Sequence, residues 1–165
     1  MPAEALPLPD GPYAGRAAFA LRVRAALVHA AAHGWNELVL SDADFDGWPL
    51  GEEAVCAGLH AWAAAGHRLA VLAGSYTVVE QRHARLVQFR RQWAHKIECR
   101  IAGREAATGL PSGIWTPDWL LTCDDREHWT GMATTVVRQR VAWRETLDAA
   151  WHRARPGFFA TTLGL

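Results

Sequence analysis

The run Arg68-Leu-Ala-Val-Leu-Ala-Gly74 constrains the fold more than any other stretch. It is continuously apolar after its first residue, it is bounded by Gly66 and Gly74, and it is too short for a helix. Such a run is what a strand covered on both faces of a sheet requires, because neither set of alternating side chains meets water. Helices must therefore lie on both sides of it. A second short apolar run, Glu37 to Leu40, precedes it, and Ile97 to Ala102 follows with Glu98 and Arg100 alternating against Ile97, Cys99 and Ile101. Both read as strands.

Helical periodicity fills the gaps. Phe19, Val23, Ala26, Leu27 and Ala30 recur at three- and four-residue steps from Arg16 to His33, where Gly34 stops the helix. Glu52 to Ala65 carries Val55, Leu59 and Trp62 on one face, with acidic residues at the positive end of its dipole. Thr77 to Ala94 reads as a third helix with a basic exposed side. After a loop from Gly103 to Gly113, Ile114-Trp115 and Trp119 to Cys123 read as two short antiparallel strands. Thr134 to Arg153 closes the chain as a long helix with Val137, Val141, Leu147 and Trp151 inward, and the apolar tail PGFFATTLGL is expected to dock. Residues 1–15, rich in proline and glycine, read as an extended arm, and residues 16–165 as one domain. Strand, helix, strand, helix, strand predicts an α/β domain with a mostly parallel sheet and helices on both faces.

Composition excludes some functions. With 17 basic and 17 acidic residues, no global field draws the chain onto DNA or an anionic membrane. Lys96 is the only lysine, a bias toward arginine and alanine of the kind seen in bacterial GC-rich coding. Cys56, Cys99 and Cys123 lack metal or disulfide spacing and read as buried small hydrophobes. No apolar run reaches the length of a membrane span, no signal peptide is read, and a cytoplasmic location is expected.

The segment NELVLSDADFDGWPLGEE carries the sharpest local pattern. Asp42, Asp44, Asp46, Gly47 and Glu53 match a calcium-loop spacing, in which alternate carboxylates converge on one hard cation. Ca²⁺ or Mg²⁺ would be the ion. Pro49 and Ser41 depart from that loop, and the alternative is an acidic strand-to-helix turn. His29 and His33 share a helical face, but only alanines separate them and no carboxylate is near in sequence. From Arg82 to Arg100 the chain holds Arg82, Arg85, Arg90, Arg91, Lys96 and Arg100 with His83, His95, Phe89 and Trp93 interleaved. That face could hold phosphates, or it could be a solvated helix side with Leu86, Phe89 and Trp93 as its buried stripe. Among nine tryptophans, Trp48 and Trp129 fall in loops and suit a pocket or an interface.

The order of elements resembles one half-domain of the phospholipase D-like superfamily over residues 16–155. The resemblance rests on NELVLSD, the D-DFDGWPLGEEAV segment, GHRLAVLAG, IECRIAG and the closing DAAWHRARP. Family members carry H-x-K-x4-D, and here PDWLLTCD aligns with it: Asp124 matches the aspartate, while Pro117 and Trp119 stand where the histidine and lysine belong. The resemblance thus implies a degenerate member without the family's phosphodiester chemistry. It further implies a half-domain fold and pairing into a homodimer. The leading expectation is a non-catalytic domain binding an anionic ligand or a protein partner, with Arg90, Arg91, Trp48 and Asp124 as ligand contacts. Two alternatives stay open: a metal-dependent phosphoesterase built on Asp42, Asp44 and Asp46, and a nucleic-acid-binding module using Arg82 to Arg100.

Overall fold

The computed structural model describes residues 7–66 and 68–159. In chain order these form β1 (Gly11–Ala14), α1 (Arg16–Leu27), α2 (Ala30–His33), β2 (Glu37–Asp42), α3 (Glu53–Ala63), β3 (Arg68–Ala73), α4 (Thr77–Arg82), α5 (Ala84–Gln92), β4 (Ile97–Ile101), α6 (Arg104–Ala107), β5 (Gly113–Trp115), β6 (Leu120–Asp125), β7 (Thr130–Thr134), α7 (Val137–Arg153) and β8 (Arg155–Pro156). The strands make one sheet in the order β1-β7-β6-β5-β2-β3-β4-β8. No helix among the described residues is long and apolar enough to cross a membrane.

This sheet corrects the expectation of a mostly parallel, phospholipase D-like half-domain. Of its seven strand pairings, β2 with β3 and β3 with β4 are parallel, and the other five are antiparallel. The physical reason lies in connection length. Helices separate β2, β3 and β4, and a crossover of that length returns a strand parallel to the last. Only four residues link β6 to β7, and so short a turn can join only antiparallel neighbours. β5 then lies antiparallel beside β2 with Leu40 opposite Ile114. The expected arm is itself partly sheet: Gly11–Ala14 pairs with β7, and Tyr13 is buried with its hydroxyl donating to the Thr122 carbonyl at 2.5 Å. Residues 1–6 of the arm lie outside the described residues.

β3 is buried on both faces from Leu69 onward. One face carries Leu38, Leu40, Leu69, Val71, Ile97, Ile114 and Leu121 into the main core with Phe19, Val23, Leu59, Trp62 and Phe89 from the helices. The opposite face places Val39, Ala70 and Leu72 against Leu147 and Trp151 of α7. α7 meets this face from Trp143 onward, so Val137 and Val141, expected inward, are 62% and 50% exposed. The single helix expected from Thr77 to Ala94 is broken at His83 (φ −119°, ψ 55°), a buried residue whose ring packs against the loop after β2. At the C-terminus Phe158 stacks on Tyr76 at 4.8 Å, Phe159 is exposed, and the rest of the expected docking tail, residues 160–165, lies outside the described residues.

Candidate anion-binding cleft

The loop from Ala43 to Glu52 leaves the carboxyl end of β2, and the Gly74 and Ser75 N–H groups after β3 both donate to the Ala43 carbonyl. It therefore sits at the carboxyl ends of the two central parallel strands, where open α/β sheets place ligands.

Asp42 anchors the loop. Its carboxylate is fully buried and every direction around it is occupied. Oδ2 accepts from the N–H groups of Phe45 at 2.7 Å and Asp44 at 3.2 Å, and Oδ1 accepts from Ser112 Oγ at 2.5 Å and from Arg126 Nη1. Arg126 reaches in from the β6–β7 turn, donates Nη2 to the Asp46 carbonyl at 2.9 Å and lies 4.5 Å from the Trp129 ring centroid. Burial opposes its charge, but Asp42 and Asp44 more than offset that, so its pKa stands above the ordinary arginine value. Asp44 Oδ1 also lies 3.8 Å from Arg126 Nη2, while Asp46 and Glu53 turn elsewhere. Asp44 Oδ1 accepts from the Asp46 N–H at 2.9 Å, Asp46 pairs outward with Arg82 at 2.9 Å, and Glu53 is exposed on the first turn of α3. The calcium-loop spacing thus does not converge on a cation; the position an ion would take beside Asp42 is held by a guanidinium. No group of three or more His, Cys, Asp or Glu side chains is arranged to hold a metal among the described residues.

Beside this anchor an open cleft of about 630 Å³ separates α1 from the loop. One wall is a face of α1 with Arg16, Ala17, Ala20 and Arg24; the other holds Gly47, Trp48, Pro49, Gly51 and Glu52, and Arg82 and His83 complete it. The alanines leave space between the two arginines, which stand about 12 Å apart along the helix. Arg24 is held bidentately by Glu52 at 2.7 Å for both bonds, and this guanidinium keeps the Glu52 carboxyl below the usual carboxylate range. Arg85 donates to the Gly51 carbonyl at 2.8 Å. Arg16 is exposed, has no carboxylate partner among the described residues, and lies 5.9 Å from the Trp129 ring centroid. Gly15 caps α1 without a side-chain bond, and no acidic residue occupies the first turn. The positive end of the helix dipole is therefore not neutralised there. Trp48 is 2% exposed and its indole N–H finds no acceptor among the described residues. His83 Nε2 lies 3.1 Å from the Phe45 carbonyl. A carbonyl can only accept, so this contact places a proton on Nε2, while Nδ1 faces Gly51.

The backbone here is held in unusual conformations. Phe45 (φ 61°), Gly47 (φ 79°) and Trp129 (φ 53°) all have positive φ, and strained backbone of this kind concentrates at ligand sites. Gly47 has no tolerance for a side chain, since a Cβ would stand 2.8 Å from the Trp129 ring and 3.2 Å from Arg16 Nε.

Of the residues expected at a site, the structure brings Trp48, Arg82 and the acidic loop together and leaves the others apart. Arg90 Nε donates to the Phe158 carbonyl at 3.2 Å, Lys96 caps the end of α3 through the Ala63 and Gly66 carbonyls, and Arg100 donates to the Trp151 carbonyl at 2.9 Å. These cations serve the fold, and the continuous basic face expected from Arg82 to Arg100 does not form. Arg91 is exposed, neither it nor Arg90 lines the cleft, and Asp124 is an exposed residue of β6. Trp119 is buried with its N–H on the Pro9 carbonyl at 2.9 Å. His33 stacks on Trp35 at 4.4 Å, and burial holds it below the ordinary histidine range. Sequence reasoning missed Arg16, Arg24, Ser112 and Arg126. The first two carried a signal, since they lie eight residues apart, off the buried stripe of α1 and with alanines between them. The other two had none, because their partner lies 70 and 84 residues away.

No family model and no curated protein matches the chain. Among solved structures it is similar to that of TrmBL2, an archaeal chromatin protein whose structure shows a novel mode of DNA binding, with a TM-score of 0.67 at 13% identity. The match covers 92% of this chain and 55% of that one, so the chain spans about half the length of its neighbour. At this identity the likeness is one of fold.

Proposed function

We propose that the chain is a nucleic-acid-binding module that takes strand phosphates into the cleft between α1 and the loop after β2. The observation that carries this reading is the convergence of Arg16, Arg24 and Arg82 on one cleft in a protein of zero net charge. Guanidinium forks match phosphate oxygens in geometry and are weakly hydrated, which suits them to this ligand above other side chains. Two of the three are paired with carboxylates, but both pairs are open to water: the side chains are 44% and 41% exposed for Arg24 and Glu52, and 68% and 51% for Arg82 and Asp46. Exposed pairs hold little free energy, so an incoming phosphate can replace the carboxylate. The DNA binding of the TrmBL2 structure supports the same direction.

Fluorescence anisotropy with labelled single- and double-stranded DNA tests this. Three phosphate contacts on a single strand predict a slope of about −2 for log K against log salt. Replacing Arg16 and Arg82 together by alanine should flatten the slope by about 1.4. Absence of binding at low salt, or binding unchanged in the double variant, contradicts the reading.

A further inference from the structure

Resting on that reading, we infer that the cleft recognises the end of a strand, a terminal phosphate monoester, in preference to the phosphodiester backbone. The size of the cleft is the first argument. About 630 Å³ lies within the range of small-ligand sites, roughly 300–1,000 Å³, which is room for a terminal nucleotide.

Charge favours the same ligand. A backbone phosphodiester carries one negative charge and presents two free oxygens. A terminal monoester carries close to two charges at neutral pH and three strong acceptor oxygens. The cleft concentrates donors for the second kind of group. Arg16 has no carboxylate partner among the described residues, and Arg24 and Arg82 are held only by exposed carboxylates. The uncapped start of α1 adds first-turn N–H groups, and anions bind at such ends because the dipole and the free donors act together.

Trp48, almost wholly buried in the cleft wall, has an indole N–H without an acceptor. A buried donor left unpaired is costly, and a ligand atom or a water reaching the cleft wall would satisfy it. Glu52 is the one carboxylate lining the cleft among the described residues; it would yield Arg24 to the phosphate and turn to solvent.

The test titrates the full chain with one single-stranded oligonucleotide in three forms: 5′-phosphorylated, 3′-phosphorylated, and hydroxyl at both ends. One phosphorylated form should bind at least about tenfold more tightly than the hydroxyl form, a difference of about 1.4 kcal/mol. That preference should collapse in Arg16→Ala, with its thermal midpoint checked against the parent, and persist in Arg91→Ala. Equal affinity for all three forms overturns strand-end recognition and leaves nucleic-acid binding standing. No binding of any form overturns both. A preference that survives Arg16→Ala also overturns the proposal, by placing the end elsewhere. Inorganic phosphate competing as strongly as the phosphorylated strand would assign the cleft to the free ion and overturn recognition of a strand end.

Discussion

Asp42 and Glu52 stand at the two ends of one loop, and each is held by an arginine from elsewhere in the chain, Arg126 and Arg24. The chemistry is the same and the surroundings are opposite. Asp42 is fully buried, while the Glu52 side chain is 41% exposed. A buried pair is judged by what breaking it leaves behind, which is an uncompensated charge. An exposed pair leaves two groups that water can satisfy, so it can be exchanged for another partner. The first pair therefore locks the loop onto the sheet, and the second holds an arginine in place until an anion arrives.

The largest effect should come from breaking the lock. Arg126→Ala strands the Asp42 carboxylate and should cost about 3–5 kcal/mol of stability in urea unfolding. Asp42→Asn should cost less, because Arg126, with 29% of its side chain exposed, retains access to water. An equal loss from both variants would break the comparison. Next, Gly47→Ala should cost about 1–2 kcal/mol for its left-handed backbone alone. Its Cβ would also press on the Trp129 ring and Arg16 Nε, so oligonucleotide affinity should fall with stability. The smallest change in stability should come from the exposed pair: Glu52→Gln should move unfolding by no more than about 1 kcal/mol. Yet it frees Arg24, and oligonucleotide affinity should rise severalfold. Weaker binding in this variant would mean that Glu52 contributes to the site and does not guard it.

The central strands and α3 were legible because each announces itself locally: a glycine-bounded apolar run in β3, and a periodic face of Val55, Leu59 and Trp62 in α3. β1 and β7 were not. Gly-Pro-Tyr-Ala and Thr-Gly-Met-Ala-Thr have no apolar run, and they become strands by pairing with each other across more than a hundred residues. The inward reading of Val137 and Val141 failed because periodicity describes a helix and not how much sheet lies beneath it. The basic segment misled for a related reason: Arg90, Lys96 and Arg100 are neighbours in sequence and diverge to three different carbonyl sites. The alternate aspartates had a local cause. Asp42 accepts from the N–H groups two and three residues on, and Asp44 from the N–H of Asp46. Turn-forming acceptors repeat at the same spacing as calcium ligands, so the motif was visible while its purpose was not.

The most direct test of the account is to record ¹H–¹⁵N spectra of the full chain during titration with a 5′- or 3′-phosphorylated oligonucleotide. The Trp48 indole N–H and the first-turn amides of α1 should move together and saturate together, while the Trp143 indole on α7 stays still. Shifts confined to α7 or to the Arg90–Arg91 surface, with Trp48 unmoved, would contradict it.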